Sequence, residues 1–182
     1  MPSAAASTAI VSAPAIRVRA DPPATARVSL REVTADTVRA IVKLEVGPEQ
    51  IGLVAPNAVS IAQAYFEPAA WFRAVYADET PVGFAMLYDP TRTATPEDGP
   101  ETCFLWRFMI DHRHQRKGYG AAALALLIAH VRTLDGVTRF KTSYVPTPGN
   151  ASPLYERAGM RPTGEVDEGE VVLGLELSSV PS

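Results

Sequence analysis

Six consecutive residues, Gln115, Arg116, Lys117, Gly118, Tyr119 and Gly120, have the types needed to hold a phosphate. They follow an apolar run that ends at Ile110 and open a periodic apolar stretch. If this is a strand, a turn and a helix, the helix N-terminus leaves backbone N–H groups without partners. Its dipole then favours an anion at that point. Gly118 and Gly120 carry no Cβ to hold a phosphate off the main chain. Arg113, Arg116 and Lys117 add positive charge beside them. No Gly-Lys-Ser/Thr follows the glycines, which excludes a Walker loop, and two glycines are too few for a dinucleotide fingerprint. On the short motif alone, a basic surface turn with no ligand stays open. No His, Cys and Asp set has metal-ligand spacing, and no serine nucleophile motif is present.

The surrounding elements must position this loop. Thr102 to Ile110 is apolar after Thr102 with only Arg107 charged, as expected of a strand covered on both faces. Gly120 to Leu134 puts Leu124, Leu127, Ile128, Val131 and Leu134 on one helical stripe, stopped at Asp135 and Gly136. Upstream, Arg27 to Val33 reads as a strand. A helix follows with Thr34 as N-cap and Val38, Ile41, Val42 and Leu44 as its stripe, ending at Gly47 and Pro48. Ala58 to Phe66 reads as a second helix. Trp71 to Tyr76 and Val82 to Tyr88 form a hairpin across 77–81, and 89–100 is loop. Downstream come a strand from Phe140 to Val145, a helix from Ser152 to Ala158 closed by Gly159, and a strand from Val171 to Leu177. With no repeat or linker, the expectation is one α/β domain over 27–178, a mixed sheet flanked by helices, behind a disordered tail at 1–26.

Composition bounds the function. The net charge of −3 over 182 residues lacks the basic excess of a nucleic-acid binder. No apolar run reaches bilayer length. The lone Cys103 lies in an apolar run and reads as a buried, inert thiol. Met1 to Pro23 lacks the basic start and Leu-rich centre of a secretory signal. It is acid-poor and contains Arg17 and Arg19, so a transit peptide stays open beside a solvated tail. The expectation is a soluble, cytoplasmic protein with neither nucleic acid nor membrane as partner; a homodimer is an open assembly.

Gln115, Gly118 and Gly120, set after a fourth strand, match the Gln/Arg-x-x-Gly-x-Gly/Ala signature of the GNAT superfamily of N-acetyltransferases. The chain resembles that family in element order from Arg27 to Leu177. The resemblance implies the GNAT fold with acetyl-CoA as cofactor, its pyrophosphate held by the amides of Gln115 to Ala121. The pantetheine arm would pair with the backbone of Phe108, Met109 and Ile110, where Thr102–Ile110 and Phe140–Val145 splay apart. A backbone N–H around Arg107 and Phe108 would stabilise the oxyanion. Leu154 to Met160 is similar to the family's Leu-Tyr-x-x-x-Gly-Phe. That makes Tyr155 the acid for the departing thiolate, or a ring packed under the cofactor. The chain departs from the family seven residues before this tyrosine. An Asn there often touches the pantetheine, and here Pro148 stands in its place, with Asn150 nearest.

Within the superfamily, Val54 to Tyr65 and Leu105 to Asp111 resemble bacterial spermine/spermidine-type acetyltransferases. This implies acetyl transfer to a primary amine of a small polycation. Aminoglycoside antibiotics present similar charge, so an antibiotic-resistance enzyme is an alternative. A peptide N-acetyltransferase and a non-catalytic acetyl-CoA module are others. Glu67, Asp78 and Glu101, with Glu79, are carboxylates that could bind the acceptor or take its proton, or could simply be solvated charges. The acid-rich run Gly164 to Glu170 could rim an acceptor cleft or be a solvated hairpin. His112 and His114 are expected at the solvent or near the cofactor, and His130 at the surface.

Overall fold

A computed structural model describes residues 21–177, so the expectations for residues 1–20 lie outside the described part. Seven strands form one sheet: β1 (Val28–Arg31), β2 (Ala70–Ala77), β3 (Thr80–Tyr88), β4 (Thr102–Ile110), β5 (Arg139–Tyr144), β6 (Arg161–Asp167) and β7 (Glu170–Glu176). Their order across the sheet is β1-β2-β3-β4-β5-β7-β6, with β4 and β5 parallel and every other neighbouring pair antiparallel. Four helices accompany it: α1 (Val38–Ile41), α2 (Asn57–Ala64), α3 (Tyr119–Val131) and α4 (Ser152–Arg157).

Alternation along the strands sorts the core into two layers. Ala85, Leu87, Cys103, Leu105 and Phe140 face Leu124, Leu127, Ile128 and Val131 of α3 and Tyr155 of α4. Phe84, Met86 and Met109 face Ile41 of α1 and Leu44 just beyond it. Helices therefore cover both faces of β4, as its continuous apolar run requires. Cys103 is fully buried, and burial pushes its thiol well above the ordinary range, so it stays a protonated core residue.

The main departures from expectation lie at the ends of the chain. Thr34 does not cap α1. Its backbone N–H bonds the Thr37 hydroxyl at 2.8 Å, making a separate turn, and only four residues of helix follow. β6 is an additional strand; all of its residues are exposed and polar or turn-forming apart from Val166, so no apolar alternation marks it. Asp21 to Ala26 lie against the start of α3. The Tyr119 hydroxyl donates to the Pro22 and Pro23 carbonyls, both at 2.7 Å, and the Lys117 ammonium pairs with Asp21.

Candidate active site

The site begins with an irregularity in β4. Met86 pairs with Arg107 and Leu87 with Leu105, so Trp106 is an extra residue opposite β3. Such a bulge bends its strand and resets its alternation. Leu105 and Phe108 therefore both pack on the α3 side, while Trp106 and Met109 pack on the other. Pairing with β5 runs from Thr102 to Leu105 and stops. From Trp106 onward β4 faces a gap. The Ile110 carbonyl accepts from Gln115 Nε2 at 2.9 Å on this side, while the Asp111 N–H bonds Val82 on β3 at 2.8 Å. Two-residue alternation then turns the Phe108 N–H and carbonyl into the gap, and those of Met109 toward β3.

Close packing of β3 fixes the other side of this strand. A Cβ added at Gly83 would lie 2.4 Å from the Met109 carbonyl oxygen, so only glycine lets the two strands approach this closely.

The loop beyond Ile110 is anchored at three points. Asp111 is fully buried; its carboxylate accepts from Arg113 Nε and Nη2, each at 2.8 Å, and from the Glu45 N–H at 3.1 Å. Burial alone would raise its pKa, but these hydrogen bonds outweigh it and hold the carboxyl below its usual range. Gln115 spans from Ile110 to Gln50 Oε1 at 2.7 Å, so its side chain is a clamp on the loop. Arg116 and Gly118 adopt left-handed backbone, φ 61° and 87°, and Gly118 sits at the N-cap of α3. These turns bring the chain into α3 at Tyr119, so the helix N-terminus, with its unpaired first-turn amides, is an arrangement that suits an anion. A Cβ at Gly118 would meet open space, the room an incoming phosphate needs. At Gly120 it would meet Leu154 and Ile110 at 3.5 and 3.6 Å, so this glycine serves helix packing. Tyr119 is buried with its hydroxyl on the proline carbonyls, and Ala121 contributes the next amide of the first turn.

Tyr155 closes the floor of the gap. It is 5% exposed, and burial pushes its pKa up to about 12, against a lowering from the neighbouring Thr142 hydroxyl. Thr142 in turn donates to the Leu105 carbonyl at 3.1 Å, the last paired residue of β4 before the splay. The phenol therefore keeps its proton through the neutral range.

Beside Tyr155 opens a cavity of about 530 Å3, lined by Leu105 to Phe108 of β4, Thr142 and Ser143 of β5, and the 52–55 loop. Six carboxylates line it, Glu67, Glu97, Asp98, Asp167, Glu168 and Glu170, against one guanidinium, Arg107. Of the acidic candidates read from sequence, Glu67 and, from the acid-rich run, Asp167, Glu168 and Glu170 are brought to the cavity. Asp78 lies in the β2–β3 turn, accepting from the Arg27 N–H at 3.0 Å, Glu79 pairs with Arg31 at 2.9 Å, and Glu101 pairs with Arg139. None of these three lines the cavity. Glu97 and Asp98 come from the 89–100 loop, which carried no signal for them, whereas Asp167, Glu168 and Glu170 lie in the acid-rich run at 164–170 that sequence marked as a possible cleft rim.

The remaining polar residues have structural partners. Asn57 is buried and donates to the Ile41 carbonyl at 2.9 Å, tying α2 to α1. Asn150 caps its own turn through the Thr147 carbonyl and the Ser152 N–H. His114 is buried rather than at the solvent, with Nδ1 2.9 Å from Asp21 without hydrogen-bond alignment. His130 is half-buried and stacked on Trp71 with centroids 4.2 Å apart, and burial lowers its pKa. Among the described residues, no three His, Cys, Asp or Glu side chains are grouped to hold a metal ion, and no helix is long and apolar enough to cross a membrane.

Known proteins share this architecture. The chain is 32% identical over 155 residues to the spermine/spermidine N(1)-acetyltransferase of Bacillus subtilis strain 168, covering 82% of this chain and 99% of that protein. Among solved structures, the aminoglycoside acetyltransferase AAC(6')-Ib in complex with coenzyme A superposes with a TM-score of 0.68 at 17% identity, over 84% of this chain and 96% of the other. The GNAT domain of S. lividans PAT gives 0.63 at 21%, over 84% and 90%. The model of the acetyltransferase (GNAT) family matches residues 38–160, from α1 through the splayed strands and the amide loop to the end of α4, and the chain belongs to that family.

Proposed function

We propose that this protein transfers the acetyl group of acetyl-CoA to a primary amine of a small polycation of the polyamine type. The observation that carries the acceptor class is the cavity beside Tyr155, with six carboxylates against one guanidinium. Such a surplus attracts several ammonium groups at once and repels anions. The curated relative acts, by its name, on spermine and spermidine, and the likeness extends over most of both chains.

The residues present fit the cofactor. The amides of Gln115 to Ala121 would hold its pyrophosphate, with Arg116 and Lys117 beside them, and the Phe108 and Ile110 edge of β4 would take the extended arm as an added strand. The cofactor supplies an acetyl group activated as a thioester. The Phe108 N–H, turned into the gap, donates to the acyl oxygen as charge builds on it. Tyr155, protonated and nearly dry, gives its proton to the departing sulfur.

Aminoglycosides carry several ammonium groups on a short scaffold and meet the same charge requirement. Free thiol released from acetyl-CoA, measured against spermidine, spermine, several aminoglycosides, a peptide with a free N-terminus and a neutral amine, separates the readings. The proposal expects turnover on spermidine or spermine to exceed that on peptide and neutral amine, and each acceptor KM to rise with salt. Turnover confined to peptide or neutral amine would overturn the polycation class.

A further inference from the structure

An acceptor ammonium must lose a proton before its nitrogen can attack, and neither Phe108 nor Tyr155 can take it. The carboxylates that sequence suggested for this step are engaged elsewhere or, for Glu67, turned onto the Ala69 N–H at 2.9 Å. Among the carboxylates on the cavity wall, Glu97, Asp98, Asp167 and Glu168 are exposed. Glu170 is different. It starts β7, so it is carried by the sheet and not by a loop, and it is half-buried. Its carboxylate is hydrogen-bonded by the Ser143 hydroxyl from β5, next to Thr142, the partner of Tyr155. The Glu170 charge reaches both the phenol of Tyr155 and the guanidinium of Arg107.

We infer that Glu170, held in place by Ser143, is the base that deprotonates the acceptor amine. This rests on the amine acetyltransferase reading above. One Glu170 oxygen takes a proton from the ammonium. The freed lone pair forms the C–N bond at the acetyl carbon while the C–S bond breaks. The sulfur takes the Tyr155 proton, and the phenolate recovers the second proton from the nitrogen. The residual proton leaves Glu170 for water, so each turnover releases one amide, one thiol and one proton. Glu170 lies outside residues 38–160, the stretch that matches the family, so it belongs to the part of the chain the family pattern leaves open.

Charged and titratable neighbours face Glu170 from each packed element: Arg107 from β4, Tyr155 from α4, and Asp167 and Glu168 from its own hairpin. Lys141 on β5 is paired with Glu165 at 2.7 Å. The test therefore compares variants across pH. Glu170→Gln keeps the shape and can still accept from Ser143. It should lower kcat/KM by about 10²-fold near neutral pH. The deficit should shrink steadily toward alkaline pH, where solvent supplies the neutral amine. Ser143→Ala should show a smaller loss with the same pH trend, and Ser143→Thr should restore it. A deficit that is equal at every pH and confined to acceptor KM would overturn the assignment, since Glu170 would then only attract the cation. So would wild-type rates in a folded Glu170→Gln protein. The comparison uses whichever amine the wild-type enzyme turns over fastest. Failure of the polycation reading would therefore change the amine and leave the test of Glu170 as it stands.

Discussion

Tyr155→Phe is the sharpest test of how the gap works, because it removes one oxygen and leaves the packing. The ring is 5% exposed within the α3-side core, and the phenylalanine ring fills the same space. The structural loss is the polar contact with Thr142, which still has the Leu105 carbonyl as partner. A cost of about 1 kcal/mol in stability is expected. The chemical loss is larger. Positioned acids contribute ~10²–10⁴-fold, or roughly 3–5 kcal/mol of barrier. Turnover measured by thiol release should fall by that factor, while acetyl-CoA affinity by calorimetry should stay within about threefold of wild type. Because burial holds the phenol at a pKa of about 12, its proton is present throughout the working range. The wild-type profile should therefore show no alkaline loss from this group below about pH 10. Wild-type turnover in folded Tyr155→Phe at every pH from about 6 to 9 would refute the acid role and leave Tyr155 as packing.

Three other perturbations follow from the same geometry. Arg116→Glu, at an exposed left-handed position of the amide loop, should weaken acetyl-CoA binding by roughly three- to tenfold, with the effect shrinking in high salt; calorimetry at two ionic strengths checks it. Asp111 has a lowered pKa, so its contribution to stability is complete above the unfolded value of about 4 and is lost as pH falls through the folded value. Urea melts from neutral to acidic pH should show this fall in the wild type and a flatter profile in Asp111→Asn. That variant should also lose about 2–3 kcal/mol at neutral pH, because Arg113 and the Glu45 N–H lose a buried carboxylate. Gly83→Ala, whose Cβ would press on the Met109 carbonyl, should destabilise the protein by about 3 kcal/mol or more by thermal melting and impair acetyl-CoA binding.

Legibility followed the physics of each segment. β4 and α3 read correctly from sequence because burial imposes an apolar pattern, continuous for the strand and periodic for the helix, whereas α2 was marked by Pro56-Asn57 at its start and Pro68 beyond its end. The turn at 115–120 was readable as a turn because Gly118 and the start of α3 restrict residue type directly. β6 was not, since an exposed edge strand needs no apolar alternation. The anchoring of the loop was also hidden. Nothing local to Asp111 or Gln115 shows that one will hold Arg113 and the Glu45 N–H, and the other Gln50. The same limit applies to the carboxylates. Asp78, Glu79 and Glu101 resemble Glu67 in sequence, but whether each meets an arginine or a cavity depends on strand order and register. Asn57 and Ser60, within the segment that carries the polyamine resemblance, are buried supports for α2.

On the proposed reading, the two ends of the gap carry opposite fields, suited to two substrates of opposite charge. At the Ile110 end, the first-turn amides of α3 make a positive terminus, with Arg116 beside them and Arg113 and Lys117 paired to Asp111 and Asp21. At the Leu105 end, the six carboxylates make a negative cavity. Between them, the bulge at Trp106 leaves Phe108 unpaired with β5 at the point where the two substrates would meet. Such fields would sort the substrates before close contact, repelling an anionic cofactor from the cavity and a polycation from the amide loop. The consequence is a shared dependence on salt. With a Debye length of about 10 Å at 0.1 M, added salt screens both approaches, so both KM values rise together. The proposed chemical step between Phe108, Tyr155 and Glu170 acts over shorter distances and is screened far less, so kcat should change little.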